Sequence, residues 1–511
     1  MPFRKVAIRS SSSLSFLGFA VAGFLAAGLA TNSARANTTL NSGTTTVSTG
    51  RDFGSELYVA LSGTATMNVV PGGYAINNYA YLGHDASAVG TVNVSSGTWT
   101  NRSDLNVGRS GIGTLNVNGG SVTSSIGYIG FFAGSVGTAT VRSGTWSNSS
   151  DLIVGISGTG SVSVNGGSVI NTTGYLGYNA RSVGTATVSS GTWANSGDLA
   201  VGVSGTGTLT ISGGLMSVGG TLSRGTNGTI NLNAGGTLQI GVGTTSGVLL
   251  GGTGSLTNNG TFVFNRSDAL TYSGVLSGSG AVTKQGTGIL GLAGANSYSG
   301  LTTIAAGTLA LSGTGSIGTG GLNLGSTGSP GVFDLSALTA GSYSLPSSGN
   351  LAGVGTLSGS GKSLAVLGSL APGNSAGTIT VGSGLSLDLA NSGTSLFEIT
   401  NPAFTAGTYD LLNGDGSVVF GGILNLAFSG GSYAEGTDVL QLFANTGGRS
   451  GNFSAVNSTG LAAGQSATFN SATGLITVVP EPSTYAISAL ATAGFASLMR
   501  WRKRRTRESE A

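Results

Sequence analysis

The chain repeats itself every 47 residues. Trp99, Trp146 and Trp193 keep that interval, as do Asp104, Asp151 and Asp198, and Tyr81, Tyr128 and Tyr175. Inside each 47 lies a half-repeat: Gly90-Thr91-Val92-Asn93-Val94 returns as Gly113-Thr114-Leu115-Asn116-Val117, and again at Gly137 and Gly160. The unit is thus 23–24 residues, three short runs of alternating apolar and polar residues between Gly-rich turns. Alternation with period two is the pattern of a half-buried strand. A unit this short cannot bury its apolar face alone, whereas stacked copies share one core. The expected fold is therefore all-β, a parallel β-helix (β-solenoid) of 23–24-residue coils spaced about 4.8 Å apart. One inward ladder should run Val92, Leu115, Ala139, Val162, Ala186, Leu209, and another Leu82, Val107, Ile129, Val154, Leu176, Val201.

Composition narrows the class. Cysteine is absent, so disulfides do not hold this fold. With 39% hydrophobic and 7% charged residues, the chain lacks the charge-rich, apolar-poor make-up of disorder. Its 94 glycines against 8 prolines suit many strands joined by tight turns.

Both ends read as addresses. Arg4, Lys5 and Arg9 precede the charge-free run 14–30, and Ala34-Arg35-Ala36 offers the small residues that a signal peptidase reads, so residues 1–36 are expected to be a signal peptide cleaved after Ala36. At the other end Pro480-Glu481-Pro482 precedes an apolar run over 484–499 and the basic set Arg500, Arg502, Lys503, Arg504, Arg505 and Arg507. Sixteen residues make about 24 Å of helix, a short transmembrane segment, and the basic cluster sets that side in the cytoplasm. Without the four leader cations and the six tail cations, ten basic residues face fifteen acids, a net charge of −5. That balance offers no footprint for nucleic acid.

These motifs resemble known families. The order Pro-Glu-Pro, weak helix, Arg cluster over 479–511 resembles the PEP-CTERM sorting signal. This implies an exosortase-type membrane protease as a partner beside signal peptidase and the general secretion machinery, and a bacterial host that makes exopolysaccharide. Residues 81–221 resemble the repeat shared by type V autotransporters and PEP-CTERM proteins. Residues 278–311, from Gly-Ser-Gly-Ala-Val-Thr-Lys-Gln-Gly to Gly307-Thr308-Leu309, resemble the autotransporter-associated strand repeat. The resemblances imply a β-helix and surface exposure, and no reaction. Nothing after Phe453 offers the strands of a membrane barrel.

The expected organisation is a signal peptide (1–36), an N-terminal cap and first coil (37–80), three double-coil repeats (81–221), continuing β-helix (222–384), a C-terminal β cap (385–478) and the sorting signal (479–511).

Sites are sparse. The Trp positions alternate with Val122, Val169 and Met216, which marks a packing layer. Tyr81 adjoins inward Leu82, so Tyr81, Tyr128 and Tyr175 should stand outside as a candidate surface ligand ladder, two coils or about 9.6 Å apart. The three Asp residues open strands after polar turns and read as turn-closing carboxylates; no metal or cofactor site is expected. His84, the single histidine, sits with Asp85 in a turn, and no catalytic constellation surrounds it. Ser360-Gly361-Lys362-Ser363 fails as a phosphate loop because Thr356 stands where glycine is required.

The expectation is a non-enzymatic structural or adhesive protein. It would be exported, held briefly at the inner membrane, processed by exosortase, and lodged at the cell surface or in an exopolysaccharide matrix. A polysaccharide-acting β-helix enzyme, an autotransporter-like passenger and a permanently anchored surface protein are the competing readings.

Overall fold

The computed structural model describes residues 36–481 apart from 251–254, 374–375, 390–392, 406 and 437–438. Residues 1–35 of the expected leader, including Ala34, lie outside the described residues, and so do the segment 484–499, Pro482, Arg500, Arg502, Lys503, Arg504 and Arg505. Ala36, Pro480 and Glu481 lie within them.

Among the described residues the regular elements are strands, and nearly every pairing is parallel to the strand one coil on. Val92, Leu115, Ala139, Val162, Ala186 and Leu209 are paired in turn, as are Leu82, Val107, Ile129, Val154, Leu176 and Val201. All twelve side chains are buried. Parallel register is set here by the inward residue, because a slip of one would turn each apolar side chain out to water. In the central coils of the repeat two of the three runs merge into one bent strand, such as Val136–Asn148 and Thr159–Asn171, with the register shifting at the bend.

A third ladder passes through Trp99, Val122, Trp146, Val169, Trp193 and Met216. It continues unbroken through Leu238, Phe262, Val282, Thr302, Leu322, Leu351, Leu370 and Ser395 to Leu424 and Val456. The parallel solenoid therefore runs on well into the segment expected as a C-terminal cap. The coil length of 23–24 residues does not persist. Phe262, Val282, Thr302 and Leu322 follow one another at intervals of 20, and 32 residues separate Leu424 from Val456. Strand pairing constrains only the paired residues, so turns absorb such changes.

An antiparallel sheet of Val439–Gln441, Leu475–Pro480 and Gln465–Asn470 adjoins the last coils. Beneath it lies a cluster of rings: Phe443 stands 4.9 Å from Phe397, 5.0 Å from Phe420 and 5.3 Å from Phe469. Pro480 ends the final strand opposite Gln465, and the Glu481 N–H donates to the Gly464 carbonyl at 2.7 Å.

Buried Asp410 joins two coils here, accepting the N–H groups of Gly377 and Glu398 at 2.8 Å each. Burial pushes its carboxyl up to about 7. The unfolded value is about 3.9, so the fold binds this proton more tightly. The resulting stability is complete below about pH 4 and is lost as pH rises through about 7. The urea midpoint of the native chain should therefore fall relative to that of Asp410→Asn between those limits. Parallel pH profiles for the two would refute this.

Candidate functional site

Each coil of the double repeat turns one corner at a glycine held at positive φ: 65° at Gly83, 71° at Gly108, 69° at Gly130, 72° at Gly155 and 68° at Gly177. The residue after it stands at the corner, giving the column His84, Arg109, Phe131, Ile156, Tyr178 and Val203. Backbone bonds stack this column: the N–H of Phe131 donates to Gly108 at 3.0 Å, that of Ile156 to Gly130 at 3.1 Å, and that of Tyr178 to Gly155 at 2.9 Å.

Beside it, on the outer face of the adjoining strands, runs the column Tyr58, Tyr81, Asn106, Tyr128, Ile153, Tyr175 and Ala200. The structure thus places Tyr81, Tyr128 and Tyr175 two coils apart and half-buried. Burial pushes all three phenols up. Tyr58 stacks on Tyr81 with centroids 5.2 Å apart and planes at 22°, so these two faces are spent on each other. Burial, aided by a 2.6 Å bond to Glu56, pushes the Tyr58 hydroxyl up to about 12.

The corner column meets the tyrosines edge-on. Phe131 lies 5.2 Å from Tyr128 at 85°, and Tyr178 lies 5.2 Å from Tyr175 at 87°. His84 is no free turn residue: its ring packs 5.0 Å from Tyr58 and 5.4 Å from Tyr81, Nδ1 lies 2.7 Å from Asp85, and Nε2 meets Arg109. The Arg109 guanidinium sits over the rings of Tyr81 (5.1 Å) and Phe132 (5.5 Å). Tyr58, Arg109 and Phe132 were missed from sequence because none recurs every 47 residues. A 25-residue separation, one coil, is the signal that joins Arg109 to His84.

Carboxylates flank the aromatic strip. Burial pushes Asp104 up, and the charges of Asp104, Asp151 and Asp198 reach the Tyr128 and Tyr175 hydroxyls. Asp198 also accepts the Thr221 N–H of the next coil at 2.6 Å. The tryptophans, by contrast, are fully buried. The indoles of Trp99 and Trp193 donate to Asn77 and Asn171 at 2.8 and 2.7 Å, within an internal column of Asn77, Asn101, Ser124, Asn148, Asn171 and Asn195. Among the described residues no group of three His, Asp or Glu side chains converges as a metal cage requires.

A different arrangement marks the 20-residue coils. Lys284 points inward and is buried, its ammonium donating to the carbonyls of Gln285, Gly286 and Ala306 at 2.7, 2.8 and 3.1 Å. Asn296 accepts the Leu276 N–H at 2.8 Å and donates to Ser316 O at 2.6 Å, bridging three coils. Tyr298 is fully buried with its hydroxyl 2.7 Å from Thr302. Residues 282–311 match the passenger-associated-transport-repeat family. Within that match, Lys284 and Asn296 serve backbone carbonyls of the turns and Tyr298 packs in the core. No curated protein matches the chain.

Burial lowers the Lys284 ammonium of the transport repeat to about 8. Lys284→Met would keep the volume and strand three carbonyls, so a loss of about 1–3 kcal/mol is expected in urea unfolding. An unchanged midpoint would show that water replaces the ammonium.

Proposed function

We propose that this is a non-enzymatic surface or extracellular-matrix protein of the passenger type. The transport repeat carries this reading, because it is continuous with the rest of the parallel ladder. Passenger repeats belong to exported chains, and a solenoid with one binding strip acts by many weak contacts, where avidity replaces a deep pocket. The finer reading is that signal peptidase removes residues 1–36, an exosortase-type protease cuts near Pro480-Glu481-Pro482, and the product lodges in exopolysaccharide. The position of Glu481 at the exit of the last sheet supports this, since a cut just beyond it leaves the coils whole.

The test is the intact mass of the chain from its native host, beside a variant with Ala at 480, 481 and 482. Loss of the tail in the native chain alone, with recovery from the surface or matrix fraction, is the expected result. A tail retained in both identifies a permanent anchor, and a chain confined to the cytosol would sink the passenger reading.

A further inference from the structure

We infer that the corner strip binds a neutral, extended glycan laid along the solenoid axis, with Phe131 and Tyr178 as its stacking platforms. This rests on the reading of the protein as a matrix component and names the ligand class of its strip.

Large apolar side chains are concentrated at this corner. Phe132 is 45% exposed, Tyr178 39% and Val203 43%, and Ile112 and Val136 stand exposed just beyond the turn. A soluble chain that keeps such a run in water has a contact to make there. The aromatic corner positions His84, Phe131 and Tyr178 recur every second coil, about 9.6 Å. That rise is close to the disaccharide repeat of an extended β-linked glycan, so alternate sugars meet equivalent surroundings.

Ring orientation decides which groups stack. Tyr58 and Tyr81 cover each other, whereas Phe131 and Tyr178 are turned nearly perpendicular to their tyrosine partners. Sugar faces therefore belong on the corner rings, with the tyrosine column behind them offering hydroxyl groups. Charge then selects the polymer. Glu56, Asp104, Asp151 and Asp198 line the strip as acceptors for sugar hydroxyls and repel polyanions. Two cations stand at this corner: Arg109 is occupied by two rings and His84, and exposed Arg181 in the Tyr178 turn is outnumbered by the four carboxylates.

The test uses the full chain as purified from its host, retained on microcrystalline cellulose, with soluble polygalacturonate as the anionic comparison. Retention on cellulose should survive high salt and fall about tenfold or more in Phe131→Ala/Tyr178→Ala, since both contacts act on one polymer. Ile170→Ala, an exposed apolar residue of the same coils on another face, should bind as the native chain does. Thermal unfolding of each variant confirms that the coils remain intact.

Equal retention of the double variant and the native chain overturns the inference, and so does stronger, salt-sensitive binding to polygalacturonate. Absence of retention, with the double variant instead dissociating a dimer in light scattering, assigns the corner to a second copy and also overturns it. Retention is measured on purified protein, so its failure is distinguishable from failure of the export reading, which rests on mass and fractionation.

Discussion

Replacing Trp193 with Ala is expected to cost about 3–5 kcal/mol. The indole is fully buried between Val169 of one coil and Met216 of the next, and its N–H is held by Asn171 at 2.7 Å. Removing it opens a cavity that neighbouring backbones cannot close, because both are fixed by ladder hydrogen bonds. It also takes from Asn171 a buried donor in a column already short of partners, since the side-chain nitrogens of Asn148 and Asn195 have none. The loss should stay local. Solenoid stability is a sum of unit and nearest-neighbour terms, so amide exchange should speed up in Val183–Asn195, Thr159–Asn171 and Leu215–Val218 and hold steady at Thr394–Ile399. Uniform acceleration along the chain would show that the coils unfold as one body.

The second large effect is at the corner. Gly155 has φ 72°, and a Cβ added there would lie 2.5 Å from the Val183 carbonyl carbon and closer still to its oxygen. Those are backbone atoms of the following coil, so they move only by spreading the ladder. Gly155→Ala combines left-handed strain with overpacking, about 3 kcal/mol or more in total. Gly134 supplies the control, with φ 83° and nothing within 4 Å of the place a methyl group would take. Gly134→Ala should cost only the conformational part, about 1–2 kcal/mol. Equal losses in the two variants would mean that strain alone governs the corner.

The coils were legible because each inward position repeats. Val92 to Leu209 and Leu82 to Val201 could be aligned by eye, and burial then forces that register. Trp99, Trp146 and Trp193 were legible as core for the same reason, since the positions between them are apolar too. What did not repeat was missed. Arg109 takes a corner place held elsewhere by Phe131 and Tyr178, and its role depends on Tyr81 and Phe132, one coil to either side. The Asn column was missed for another reason: alternation puts Asn101 on the inward face of Trp99, but an amide reads as surface by polarity, although Asn77 donates to Asn101 across coils at 2.6 Å. Lys284 likewise looks like surface and is buried, because three turn carbonyls replace water. The long C-terminal coils were hidden by their turns, which carry no period.

Unequal coils have a mechanical meaning. Inter-coil hydrogen bonds run along the solenoid axis, so a pull on the two ends loads successive rows in series, and the weakest row parts first. Each released coil then lengthens the tether by its own contour. A 20-residue coil such as that from Val282 to Thr302 yields at most about 70 Å, and the 32 residues from Leu424 to Val456 yield about 110 Å. A chain anchored at one end and gripping a polymer along its side would give way in graded steps, shedding force coil by coil while the remaining rows keep their hold.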